Sequence, residues 1–194
     1  MKVDKIVQND AEPPPLRPDV ARRRQALLDA AARVFDEQGV AAPLDAVLAA
    51  AGVGRGTLYR HFSDRTALLL GLLGMEVDRL RRAAEDGPPD DALVRIFQAG
   101  AERAHRSAAL SAAWRAIPES HPGLRLCRAR LLEVLAAPLA AAHAAGVARP
   151  DLRLEDLPAV LRMISAGVRE SGAEASPARV LDLVLNGVLA GDAR

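Results

Sequence analysis

Apolar residues recur three and four positions apart through most of this chain, a spacing that collects them on one side of a helix. From Asp19 onward, Val20, Leu27, Leu28, Ala31, Val34 and Phe35 follow it while Arg22, Arg23, Asp29 and Arg33 largely occupy other faces. A first helix is therefore predicted, with Asp19 as N-cap and Gly39 as stop. Pro43 suits the first turn of a short helix over 44–51 that Gly52 ends, and after a few residues of turn 55–62 reads as another. Ser63 is a good N-cap for a longer helix from Asp64 to about Glu85, closed by Gly87, Pro88 and Pro89. Further helices are expected over 90–104, 108–116, 124–145, 155–167 and 177–190, with Pro138 kinking or splitting the third of these. The sum is an all-α chain of about nine helices with no internal repeat.

Composition agrees. Aromatic residues are only 3% of the 194 while Ala runs through almost every segment, which favours helices over strands. Residues 1–18 carry Pro13, Pro14, Pro15 and Pro18 among polar neighbours, a composition expected to form a flexible arm. The formal net charge is +1, so any binding of nucleic acid has to rest on a local basic cluster. A single cysteine, Cys127, excludes an internal disulfide and suits a reducing compartment, so a cytoplasmic location is expected. Met1 to Asp10 lacks the apolar run of a signal peptide, and Ala67 to Met75 is far shorter than the ~20 residues needed to span a bilayer, so no membrane partner is expected.

The stretch from Leu44 to Leu70 carries the chemistry. It reads as a helix, a Gly-containing turn and a second short helix, the layout of a helix-turn-helix. Leu58 and Phe62 lie four apart and can face inward, leaving Arg55, Thr57, Arg60 and His61 on other faces. Between Gly54 and Arg65, Arg55, Arg60 and Arg65 stand against Asp64 alone, a local positive focus able to displace counterions from phosphates. Arg22 and Arg23 add positive charge in the first turns of a helix, where the dipole disfavours it and a phosphate would offset it. Gly52, Gly54 and Gly56 do not make a nucleotide loop, because no strand precedes them and their spacing departs from G-x-G-x-x-G.

The run Gly52-Val53-Gly54-Arg55-Gly56-Thr57-Leu58-Tyr59-Arg60-His61-Phe62, followed by Arg65 and Leu68-Leu69, resembles the signature of the TetR family of bacterial transcriptional regulators over residues 19 to about 72. The resemblance implies a homodimeric, ligand-responsive regulator, a repressor by expectation, that seats one recognition helix per subunit in the major groove of an inverted-repeat DNA operator. Arg55, Gly56 and Thr57 are then expected near base edges or phosphates, Tyr59, Arg60 and His61 along the backbone, Arg65 on phosphate from the next helix, and Arg22 and Arg23 beside them. A small-molecule effector in the C-terminal bundle would change the separation of the heads. Three positions depart from the family pattern: Gly54 where a hydroxyl residue often caps, Ala42-Pro43 where Ser or Thr often stands, and Leu48 where a small residue is usual.

For the pocket, Phe97, Trp114 and Met163 on three predicted helices are candidate walls, with Arg103, His105 and Arg128 as polar contacts that would favour an anion. For dimerisation, Leu157, Leu161, Ile164 and Val168 form a stripe on the penultimate helix and Leu181, Val184, Leu185 and Val188 one on the last. The expected division is an arm over 1–18, a DNA-binding head over 19–64 and a ligand and dimer bundle over 65–194. No catalysis, cofactor or metal is implied, since His61, His105, His121 and His143 show no ligand spacing. A helical enzyme or carrier that keeps the head as a structural element, and a ligand-blind interaction protein, are the competing readings.

Overall fold

In a computed structural model, residues 18–107, 109–170 and 176–188 are described, and all of their long elements are helices. They run in the order α1 (Pro18–Gln38), α2 (Leu44–Ala51), α3 (Arg55–His61), α4 (Arg65–Glu85), α5 (Ala92–Arg106), α6 (Ala109–Ala116), α7 (Pro122–Ala144), α8 (Leu157–Glu170) and α9 (Pro177–Val188). Single 3-10 turns at Pro89–Asp91 and Leu154–Asp156 lead into α5 and α8. The all-α reading holds, with nine α-helices among the described residues.

Local chemistry sets the boundaries. Gly39 adopts φ 81° and its N–H donates to the Phe35 carbonyl at 3.0 Å, ending α1 as expected. Gly52, at φ 65°, closes α2 in the same left-handed conformation, and the following Val53 N–H donates to Leu48 O at 3.2 Å. Three expectations shift. The first helix already includes Pro18, so Asp19 lies in its first turn and pairs with Arg22 and Arg23. Asp64, and not Ser63, caps α4: its Oδ1 accepts from Ala67 N at 2.8 Å, because a carboxylate at the extended residue reaches the free N–H groups directly. α7 is not split, since buried Pro138 lies inside its continuous span and costs it only one intrahelical donor. Of the expected arm over residues 1–18, Pro18 belongs to α1 and residues 1–17 lie outside the described residues, as does the last turn at 189–190.

Two apolar clusters organise the molecule. The first joins Leu27, Leu28, Val34 and Phe35 of α1 to Val47 and Leu48 of α2, Leu58 of α3 and Phe62. It does not stop at residue 64: Leu68, Leu69, Leu72 and Leu73 of α4, Ala113 of α6, Ile117 just after α6, and Cys127 of α7 belong to it. The second collects Val77 and Leu80 of α4, Ile96 and Phe97 of α5, Leu135 and Leu139 of α7, Ile164 of α8 and Leu181 of α9. α4 and α7 thus run through both clusters, so a displacement at one end of either helix is felt at the other. Close crossings are made where a side chain is missing: a Cβ on Gly71 would lie 2.8 Å from Leu28 Cδ2 and from Phe62 Cε1, and one on Gly167 would lie 2.8 Å from Val180 Cγ1.

Candidate nucleic-acid interface

Helix α3 owes its orientation to two residues. Leu58 is 2% exposed and Phe62, just past the helix end, is 3% exposed, and together they anchor α3 on α1 and α4. The residues between them are turned outward: Arg55, Gly56, Tyr59 and Arg60 are exposed, and Thr57 and His61 are half-buried. Tyr59 is 55% exposed, so its ring is not part of the head's core. Gly54 caps α3 in an extended conformation with no side-chain bond, and a Cβ there would meet nothing within 4 Å, so the missing hydroxyl reflects no steric demand. Leu48 is 7% exposed and lies in the head's cluster, and Ala42 is 5% exposed.

The charges on this face are already partly engaged. The Arg55 guanidinium grips Asp45 of α2 with both prongs, Nε to Oδ1 at 3.0 Å and Nη2 to Oδ2 at 2.6 Å. That bond holds the Asp45 carboxyl below its ordinary value and raises Arg55 above its own. Arg22 and Arg23 likewise share Asp19, at 2.6 and 2.9 Å, in exposed pairs that water and a competing phosphate can open. Arg60 bends back on its own helix, Nε to Gly56 O at 3.2 Å.

A further positive cluster lies where residues of α1 meet the end of α3. Arg24 stacks over the Phe62 ring at 5.1 Å, and His61 feels Arg24, Arg23 and Arg60. Partial burial, followed by those three guanidinium groups, holds the His61 imidazole below the ordinary histidine value. A neutral imidazole among cations is a hydrogen-bond donor waiting for an acceptor that bears negative charge. Arg24, the residue after the expected Arg22 and Arg23, is half-buried against Phe62. It nevertheless belongs to the same cluster, because its contact with Phe62 brings it beside His61.

Arg65 has a different task from the phosphate contact expected of it. Its guanidinium points into the head, donating to Val40 O at 2.6 Å and Ala42 O at 2.7 Å with its Cζ 5.8 Å from the Phe35 ring centroid. It satisfies two carbonyls of the loop between α1 and α2 that no helix can satisfy, and so braces the loop that leads into the helix-turn-helix.

In the bundle, a cavity of about 310 Å³ opens among α4, α5, α6, α7 and α8. Of the six candidate pocket residues, Trp114 and Arg128 line it. The other four candidate pocket residues do not. Phe97 is fully buried in the second cluster, Arg103 is drawn to Glu76 at 3.9 Å, His105 is exposed on α5, and Met163 is 60% exposed on the outer side of α8. Ser107, Ser111, Arg115, Arg162 and Arg169 were missed, because their shared wall exists only once five helices meet.

The proposed dimer stripes are corrected in the same way. Leu157, Ile164, Val168 and Leu181 are at most 8% exposed and pack inside the subunit, with Leu161, Val184 and Leu185 against the same cluster. The side chain of Val188 lies outside the described residues. The most regular apolar stripe of α8 and α9 is therefore core, and the outward side is marked by Met163 and Leu183, 60% and 59% exposed. Cys127 is 8% exposed, its thiol raised by burial, as befits a core residue. Among the described residues, no His, Cys, Asp and Glu cluster could hold a metal ion, and no helix is long and apolar enough to cross a membrane.

Comparison with known proteins matches this geometry at both ends of the chain. Residues 27–72 fit the family described as bacterial regulatory proteins, tetR family, and residues 88–190 fit the transcriptional regulator SbtR-like C-terminal domain. The TetR transcriptional regulator SCO0520 from Streptomyces coelicolor is 33% identical, with a TM-score of 0.62 over 86% of this chain and 98% of that one. The TetR transcription regulatory protein of Mycobacterium vanbaalenii is 29% identical, with a TM-score of 0.61 over 90% and 99%. The HTH-type transcriptional repressor LfrR of Mycolicibacterium smegmatis is 42% identical over 82 residues, 40% of this chain, and the match spans less than half of that repressor, 43% of its length. A helix-turn-helix head and a C-terminal bundle that each match, joined in one chain of matching fold, lead to one conclusion: this protein belongs to the TetR family of bacterial regulatory proteins.

Proposed function

We propose that this protein regulates transcription as a homodimer that binds an inverted-repeat operator and is released from it by a small molecule held in the bundle. The observation that carries the reading is the outward face of α3, where exposed Arg55, Tyr59 and Arg60 stand over the buried anchors Leu58 and Phe62. Arg55, Gly56 and Thr57 meet the base edges or adjacent phosphates, and Tyr59, Arg60 and His61 follow the backbone with Arg22 and Arg23 beside them. Arg65 supports this surface from beneath. The relative named as a repressor favours repression over activation. In this arrangement 19–64 reads DNA while 65–194 senses and dimerises, and the outward side of α8 and α9 around Met163 and Leu183 is the surface on which two copies meet.

Selection of bound duplexes from a random pool at two salt concentrations tests this reading. The expected product is an inverted repeat whose half-sites lie about one helical turn or a multiple of it apart, with binding that weakens steeply as salt rises. A pool that enriches no sequence would remove the regulator from consideration.

A further inference from the structure

The cavity in the bundle has a chemical asymmetry that names its ligand. Its floor is Leu73, Val77, Leu80, Leu131 and Leu161, with Trp114 at one side. Its remaining lining carries Arg115, Arg128, Arg162 and Arg169. Against these guanidinium groups stands one acid among the described lining residues, Glu76, and it is already taken: it is held by Arg79 at 2.5 Å and by Arg103 at 3.9 Å. Arg169 donates to Ser111 Oγ across the gap between α8 and α6. The side chains of Arg115, Arg128 and Arg162 have neither an ion pair nor a hydrogen bond among the described residues.

Arg115, Arg128 and Arg162 are exposed around an apolar chamber, so they cluster positive charge at its mouth that attracts an anion and is free to pair with one. Guanidinium groups answer a carboxylate or a phosphate with paired, charge-assisted hydrogen bonds, while the leucine floor takes hydrocarbon. We propose that this cavity binds an amphipathic anion: one oxyanionic head, carboxylate or phosphate, on an apolar body. This inference rests on the ligand-responsive reading above and names the class of effector that reading needs.

The experiment uses the full chain and its single tryptophan, Trp114, which lines the cavity and so reports occupancy through its own fluorescence. Four probes of equal chain length are titrated below their critical micelle concentrations: decanoate, decyl phosphate, 1-decanol and decyltrimethylammonium. Saturable binding of either anion, on the order of tenfold or more tighter than decanol, supports the proposal, and the stronger of the two anions identifies the head. Replacing both Arg115 and Arg128 by Gln, at exposed positions that the fold does not need, should bring the anions to the level of decanol. Decanol or the cation binding as tightly as the anions, anion binding indifferent to the double replacement, or no anion binding at all would overturn it. Trp114 reports without DNA, so a failed duplex selection would remove the regulator reading while leaving anion binding standing.

Discussion

Ser107, buried on the wall of the bundle cavity, donates its hydroxyl hydrogen to Asp36 near the C-terminal end of α1, with 2.5 Å between the oxygens. These residues are 71 apart in sequence, and their bond is a direct polar tie from the cavity to the helix that precedes the helix-turn-helix. Asp36 is exposed, so water replaces the lost hydroxyl when Ser107 is removed. Ser107→Ala should therefore lower the unfolding free energy by about 1.5 kcal/mol, at the low end for hydrogen bonds to charged groups. It should also shrink the change in DNA affinity that a cavity ligand causes while leaving ligand affinity unchanged. Denaturant titration, with DNA titration in the presence and absence of decanoate, checks both parts; unaltered coupling would refute the tie.

Arg65 separates bracing from reading. Arg65→Ala strips the Val40 and Ala42 carbonyls of their charged partner and should cost about 2 kcal/mol, because two part-buried charge-assisted bonds are lost. Arg65→Lys should recover little of this, since an ammonium cannot span both carbonyls as a planar fork does. The slope of log affinity against log salt should stay as in the unmodified protein. A slope shallower by about one would instead return Arg65 to the phosphate contacts.

The pair of Asp45 and Arg55 predicts a gain. Asp45→Asn keeps the shape of the side chain and removes the charge that holds the Arg55 guanidinium. The pair is exposed, so the unfolding midpoint should scarcely move. DNA affinity should rise, with a salt slope steeper by about one as Arg55 becomes available to a phosphate. Unchanged affinity and slope would place Arg55 away from the DNA.

His61 predicts a pH dependence with a defined sign. Its folded value lies below the ordinary one, so the unfolded chain takes up the proton first as pH falls. The stability it contributes is complete above about pH 6.5 and is lost between there and its folded value. A phosphate oxygen against the ring reverses the preference by favouring the imidazolium. DNA affinity should therefore increase as pH drops below about 6.5, and His61→Gln should flatten that increment. Identical pH profiles for the two proteins would dissociate His61 from the DNA backbone.

Much of the head could be read from one dimension because its determinants are local. Gly39 and Gly52 end their helices through their own backbone freedom, and the spacing of Leu58 and Phe62, four apart, marks the pair as inward-facing before any partner is known. The expected cap failed by one residue, Ser63 for Asp64, since two adjacent polar residues suit the role and only the backbone path decides which is extended at the boundary.

What the sequence by itself determined is the all-helical course, the helix-turn-helix and its outward residue types, and the resemblance that placed the chain in its family. Tertiary structure alone decided which charges are spent and which remain. Arg65 turned inward to the loop, Arg55 was taken by Asp45 and Glu76 of α4 was drawn to Arg103 of α5, because each of these partners lies on another element and competes through geometry that periodicity does not carry. The same holds for the bundle, where the apolar stripes of α8 and α9 read equally well as core or as dimer face. Burial of Ile164 and Leu181 beneath the exposed Met163 and Leu183 resolves that choice, since a helix has more than one apolar side and only its neighbours select which one leaves water.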